Sequence, residues 1–340
     1  MSNNKDYVIA VDAMGGDNAP FINIQGAVDA VNQNPKIKVV LVGQEEVISN
    51  ELDKYSNKYN KEQITIRNAT QVIDYSDTPT VAIKQKKDSS IVVGLNMLKK
   101  GEASAFISAG STGALLVGAT LIIKRIKGVE RPALASLLPA KKRHTFLIDS
   151  GANMDSKPSY LPSFAIIGKI YMQNIMNVED PKIGLVNVGT EDEKGDAFTK
   201  EAFKLLKKTP NINFVGNIEG RDIPEGNCDI VVCDGFVGNV ILKVAEGTVQ
   251  TFSSVLKEQL KSSFICSIGA LFSKSAFLNI KKKFDYAEIG GAPFLGLKSL
   301  VIKAHGSSNA KAITSSINQC YKFIESDIIQ KIEDSIGTCN

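Results

Sequence analysis

The chain predicts an α/β fold, a mainly parallel sheet with helices on both faces. Three observations predict it. Short β-branched runs alternate with longer stretches of helical period from end to end, as successive βα units require. Five of those runs end in small, polar, Gly-rich turns just before a helix begins. With 340 residues, 43% hydrophobic and 22% charged, the composition is that of a globular protein able to bury a sizeable core. Residues 1–335 read as a single α/β domain, or as two lobes around a cleft, and no repeat, low-complexity tract or Pro/Gly-rich linker marks a boundary.

In chain order, YVIAVD (7–12) is the first strand and residues 20–33 its helix. KVVLV (38–42) precedes a helix near 45–54, and ITIR (64–67) precedes one near 79–99. AFIS within 104–108 leads to a helix at 112–124, and TFLID (145–149) to one at 159–176. KIGLVN (182–187) leads to 195–208, a strand at 213–216 follows, and DIVVC (229–233) leads to a long helix at 237–261. A last strand at 299–304 and a helix at 308–330 close the pattern.

The turns carry the functional signal. They are AMGGDNAP after the first strand, then GSTGA, SGAN, GTEDEKG and GFVGN, each at the exit of a strand. Parallel strands place ligands beyond their carboxyl ends, where helix N-termini offer unpaired N–H groups and a positive dipole end. If all five exits lie on one rim, the site is an anion-binding cleft. The candidate anion-binding residues are Asp12, Gly15, Gly16, Asn18, Gly110, Ser111, Thr112, Gly113, Asn153, Glu191 and Gly238. Asp12, Asp149 and Asp234 each stand at a strand exit; without DxD or HxxxH spacing they read as acceptors for turn amides, and no metal is expected. Lys194 near a helix start opposes the macrodipole, a local conflict that points to a role as a cation for phosphate. Asn239 is either the N-cap of its helix or an oxyanion donor. His305, beside Gly306 and Ser307, ends a hydrophobic strand and is site-like, whereas His144 follows a basic run and reads as exposed.

Other classes are set aside. A net charge of +4 and 7% aromatics without Trp argue against nucleic acid. Neither GxGxxG nor GxxxxGK[ST] occurs, so no dinucleotide or Walker-type site is expected. The five cysteines form no CxxC pair, consistent with a reducing cytosol, and Cys228 and Cys233 read as core fillers. The N-terminus has no secretory pattern.

Residues 257–283 hold six lysines against one glutamate, more than the whole net charge. Phe264, Ile265, Ile268, Leu271 and Phe272 share one helical face, with a break expected near Gly269. This basic amphipathic segment suits an anionic membrane surface or a dimer interface.

Eight stretches in order, VIAVDAMGGDNAP, SAGSTGA, RPALA, DSGAN, NVGTEDEKG, DIVVCDGFVGNVILKVAEG, YAEIGGAPFLGL and IKAHGSS, resemble the bacterial phosphate acyltransferase family PlsX. The resemblance runs from about residue 7 to 325, and Ser111 departs from it where Asn is expected. It implies a Rossmann-like fold of the isopropylmalate dehydrogenase and phosphotransacetylase kind. It also implies an enzyme that makes acyl phosphate from acyl-[acyl carrier protein] and orthophosphate for phospholipid synthesis, without a cofactor. Lys194 and Asn239 match the family's functionally important pair, and His305 is carried as a third catalytic candidate. Implied partners are acyl carrier protein, a second copy of the chain, the membrane surface and the downstream glycerol-3-phosphate acyltransferase. The implied location is cytoplasmic and peripheral to the membrane, with Phe264, Ile268, Leu271 and Phe272 touching lipid. Two alternatives stand beside it: a phosphate acetyl- or butyryltransferase using acyl-CoA, and a non-catalytic scaffold that docks carrier protein at the membrane.

Overall fold

Among the described residues eleven strands join in one sheet, and the directions in which they run decide which turns can meet. The computed structural model describes residues 7–284 and 289–337. Residues 1–6, the first three residues of YAEIGG (286–288), Cys339 and the side chain of Lys281 lie outside them.

The chain begins β1 (Tyr7–Asp12), α1 (Phe21–Gln33), β2 (Ile37–Gly43), α2 (Glu45–Leu52), β3 (Ile64–Asn68), α3 (Pro79–Gln85) and α4 (Ser90–Lys100). It continues with β4 (Ala105–Ser108), α5 (Thr112–Ile122), β5 (Ala133–Leu138), β6 (Thr145–Ile148), α6 (Leu161–Asn174), β7 (Lys182–Asn187) and α7 (Ala197–Lys208). Then come β8 (Asn213–Glu219), β9 (Ile230–Val232), α8 (Gly235–Leu260), α9 (Phe264–Phe272) and α10 (Lys274–Phe284). The last elements are β10 (Ala292–Leu295), β11 (Leu300–Lys303), α11 (Ala310–Glu325) and α12 (Ile328–Gly337).

The sheet order is β3-β2-β1-β4-β11-β10-β5-β6-β9-β7-β8. The first five of these run parallel to one another, as do the last four. Between the halves, the β11–β10, β10–β5 and β5–β6 pairings are all antiparallel. Three reversals leave the two parallel halves pointing in opposite directions. The expectation of a single rim for all five turns is therefore corrected: the exits of β1, β4 and β11 lie at one edge, those of β6, β9 and β7 at the other.

Helices cover both faces, as expected. Successive strand residues alternate between faces. Ile9, Ile107 and Ile302 pack under α1, α2, α6, α7, α11 and α12, while Ala10, Phe106 and Val301 pack under α3, α4 and α5. Leu147 and Val231 pack under the start of α8. Two predicted helices are each divided. Residues 79–99 break where the Ser89 hydroxyl accepts from Val92 N and caps α4. Residues 308–330 break at Asp327, which sits at φ +51°.

Beyond its first turns α8 leaves the sheet and carries α9 and α10 as a projecting arm. Its apolar side chains face outward: Phe264 is 80% exposed and Phe272 84%. The break in the arm falls at Ser273 rather than near Gly269, because Ser273 N closes the last turn of α9 onto Gly269 O. Among the described residues no helix is long and apolar enough to cross a membrane.

Candidate functional site at two groups of strand exits

At the first edge, three turns interlock. Gly16, at φ +103°, fits against Ala109 and the Gly306 carbonyl, a conformation and a gap that favour glycine. Asp17 N donates to Gly306 O at 2.8 Å, and Ala304 N to Ser108 O at 3.0 Å. The buried Asn23 amide donates to the carbonyls of Asp12, Ala13 and Gly15 and so holds the first turn from within. Asp12 itself is buried, accepting from Ser108 Oγ at 2.6 Å and Met14 N at 3.1 Å; burial pushes its carboxyl up. Ser111 caps α5 by accepting from Ala114 N, while Thr112 and Gly113 form the first helical residues, whose amides no preceding turn can satisfy. Asn18 is exposed at the turn's outer end.

Lys303, at the end of β11, is a residue that sequence reading missed. It is 8% exposed. Its ammonium donates to Ala109 O at 3.2 Å and to Ala304 O. Burial pushes it down to about 8, opposed by the charge of Asp12. A lysine inside VIKAH reads as the outward residue of a strand; only the packing shows it lying among the Gly-rich turns. Tyr75 adds a hydroxyl bonded to Ala109 O at 3.0 Å.

The second edge is organised by carboxylates. Asp149 accepts from the backbone N–H groups of Leu134, Gly151, Ala152 and Asn153, and from the Asn153 side chain. Asn153 also donates to Pro132 O, so its side-chain amide is spent inside the turn. Burial pushes the Asp149 carboxyl up, against those hydrogen bonds. Asp234 caps α8, accepting from Phe236 N and Val237 N. The N-cap alternative for Asn239 is thereby corrected: the cap lies five residues earlier, and Asn239 sits over Gly151. Gly238 packs so closely on the Asp149 carbonyl that a Cβ would overlap it. At the exit of β7, Asn187 donates to Lys194 O and Asn217 to Glu191 O, holding the GTEDEK loop. The Lys194 side chain is exposed, with no hydrogen bond or ion pair among the described residues.

One helix joins the two edges. Lys243, four residues after Asn239 on α8, lies 3.2 Å from His305 Nε2, and Glu246 lies 4.0 Å from the same atom. Residues at this spacing share a helix face about 6 Å apart. Asn239 thus faces the SGAN turn while Lys243 reaches the AHGSS turn. His305 Nε2 faces the Lys243 ammonium, while Nδ1 lies 2.8 Å from Ser307 Oγ and accepts from Ser307 N at 3.2 Å. Burial first and Lys243 second push His305 down. Sequence reading missed Lys243, although its i,i+4 spacing from Asn239 was available.

His144 is half-buried rather than exposed, beside Lys283. Cys228 and Cys233 are buried, and burial pushes both thiols up, Cys228 to about 11.

Residues 7–331 match the family model described as "Fatty acid synthesis protein". The chain belongs to that family. The family is the one the sequence resembles, and its kinship is nearly full length. The chain is 51% identical over 328 residues to the phosphate acyltransferase of Clostridium novyi (strain NT), covering 96% of this chain and 98% of the relative. It is 49% identical over 328 residues to that of Clostridium perfringens (strain SM101 / Type A), covering 96% of each. A phosphotransacetylase from Streptococcus pyogenes shares the fold at 18% identity, with a TM-score of 0.63 over 94% of each chain. The EutD phosphotransacetylase from Staphylococcus aureus does so at 15% identity, with a TM-score of 0.60 over 94% of this chain and 95% of its own. The Rossmann-like, phosphotransacetylase-like fold stands, and the chain is an enzyme of this family.

Chemically, the first edge offers backbone amides, a buried ammonium and a neutral imidazole, a set suited to an oxyanion. The second edge offers an exposed ammonium at Lys194 and the side-chain amide of Asn239.

Proposed function

We propose that this enzyme moves a fatty acyl group from acyl-[acyl carrier protein] to orthophosphate, giving acyl phosphate and free carrier protein for phospholipid synthesis. Phosphate is largely dianionic near neutrality if its second pKa resembles the ~6 of a phosphorylated side chain, and the leaving thiol has a pKa near ~8.5. Neither a strong base nor a strong acid is demanded. A phosphate oxygen attacks the thioester carbon, the new C–O bond forms as the C–S bond breaks, and the departing thiolate takes a proton. The protein's task is to hold the phosphate against the carbonyl and to stabilise the oxyanion.

The turns at 14–18, 110–113 and 304–308, with Lys303 beneath them, hold phosphate; Asn239 and Lys194 meet the developing oxyanion. The observation that carries this reading is the shared face of α8, which puts Asn239 one helical turn from Lys243 and His305. Kinship to relatives named phosphate acyltransferase supports the same reaction.

The arm then docks at the membrane surface, its exposed Phe264, Ile268, Leu271 and Phe272 entering lipid beside lysines. Exposed Phe236, Val240 and Val244, at i, i+4 and i+8 on α8, support pairing with a second copy. Acyl phosphate passes onward to the glycerol-3-phosphate acyltransferase. The test is a hydroxamate assay on purified protein with phosphate and either palmitoyl-carrier protein or palmitoyl-CoA. Acyl phosphate from the carrier-protein thioester is expected. Product only from CoA would place the chain with the acetyl- and butyryltransferases, and product from neither would leave a scaffold.

A further inference from the structure

The loop that carries Lys194, residues 188–196, has neither strand nor helix between β7 and α7, and its residues from Thr190 to Lys194 are all exposed. Backbone of that kind opens readily unless something holds it. A cation that meets charge appearing during reaction has to be kept within ~0.5 Å of its working place.

Two buried side-chain amides hold this loop. Asn187, 8% exposed, donates from Nδ2 to Lys194 O at 3.0 Å, while its Oδ1 accepts from Val188 N at 2.8 Å. Asn217, 6% exposed, donates from Nδ2 to Glu191 O at 2.8 Å. The same carbonyl accepts from Lys194 N at 3.1 Å and closes a turn over residues 191–194. Both ends of that turn are thus tied to the sheet. Asn217 of β8 pairs with Leu185 of β7, and Asn187 follows Leu185 by two residues, so the two amides stand on one sheet face. Glycines let the loop settle there. A Cβ at Gly195 would overlap Asn187 Oδ1 and Thr199 Oγ1, and one at Gly189 would stand 3.1 Å from Lys194 Cγ, so the lysine stem lies across bare backbone.

Stability alone does not account for these residues. Asn217 Oδ1 has no hydrogen-bond partner among the described residues. A buried amide with an unanswered oxygen is less stable than an apolar side chain of similar shape, and asparagine is depleted in strands. What asparagine adds here is the donor. The outer tie, Asp192 to Lys207 at 3.0 Å, joins two exposed side chains and contributes little.

We infer that Asn187 and Asn217 are positioning residues for the acyl transfer, fixing through the carbonyls of residues 194 and 191 the place from which the Lys194 ammonium acts. The inference rests on the reading of Lys194 as a group that meets the developing oxyanion.

Steady-state kinetics with palmitoyl-carrier protein and phosphate test it in a mutant cycle. In Asn187→Ala and in Asn217→Ala, kcat is expected to fall ~10-fold to ~100-fold, with the KM for phosphate within ~2-fold of wild type because phosphate is held at the other edge. Added to Lys194→Ala, either change should cost no more than ~2-fold, since it acts through a side chain already gone. A merely structural role would lower activity equally in both backgrounds. That equal loss would overturn the proposal alone, as would wild-type kcat in both asparagine variants beside an impaired Lys194→Ala enzyme. Near-wild-type turnover by Lys194→Ala would overturn the reading of Lys194 and this proposal with it. Hydrogen exchange on the wild-type protein needs no variant: the Lys194 amide should exchange at least ~10-fold more slowly than in an unstructured chain. Unprotected exchange there would show the loop untied and overturn the proposal.

Discussion

The two groups of strand exits solve the same local problem in opposite ways. At β1, β4 and β11 Asp12 and Lys303 are buried beneath the turns, with Asp17 and His305 exposed above them. At β6, β9 and β7 the buried carboxylate of Asp149 and the half-buried one of Asp234 are consumed by turn amides, while Lys194 projects into solvent. The first edge is built before any ligand arrives. The second keeps its working side chains free to meet a substrate. Rigid backbone donors suit an ion of fixed shape such as phosphate, and side chains suit the charge that appears only during reaction.

The largest effect should come from the exposed side. Lys194→Ala is expected to lower acyl-phosphate turnover by about 10²–10³, the usual loss of one oxyanion-stabilising group, with the melting temperature unchanged. A fall in both would mean that Lys194 supports the fold of that edge.

Gly238→Ala probes the scaffold of the same edge. The added methyl would overlap the Asp149 carbonyl, and a loss of about 1–3 kcal/mol in denaturant unfolding is expected. Stability equal to wild type would mean that α8 is not seated on that turn.

Lys303→Met tests the buried edge through pH. The folded ammonium titrates near 8, below its usual 10.5, so between those values the unfolded chain holds a proton that the folded chain does not. Wild-type stability therefore rises with pH across this window, on the order of 1–3 kcal/mol, and the methionine variant should lose that rise. The wild type's phosphate kcat/KM is expected to decline as pH rises through about 8, and that of the variant is not. Identical profiles would remove Lys303 from the site.

The smallest effect on chemistry is expected in the arm. Leu271→Glu should leave soluble turnover intact and reduce flotation with anionic vesicles. Unchanged flotation would detach the arm from lipid.

The parallel βα rhythm was legible because each half of the sheet consists of β-branched runs followed by helices. The reversal between the halves was not. It resides in β5 and β10, four to six residues each, the latter APFL with a proline and Gly-rich flanks that read as loop. Missing those strands made two edges look like one. Asn239, Lys194 and the Gly-rich turns were visible as residue types at strand exits. Lys303 was not, because burial of a strand lysine is a tertiary fact; Lys243 showed only its i,i+4 spacing from Asn239, and the reach of α8 across the sheet is a tertiary fact as well.

The account turns on residues from both edges acting on one phosphate and one thioester. The most direct measurement is hydroxamate-trapped acyl phosphate from palmitoyl-carrier protein and orthophosphate, comparing wild type with folded Asn239→Ala. The account predicts product from the wild type and a fall of about 10²–10³ in the variant. Near-wild-type product from the variant would contradict it.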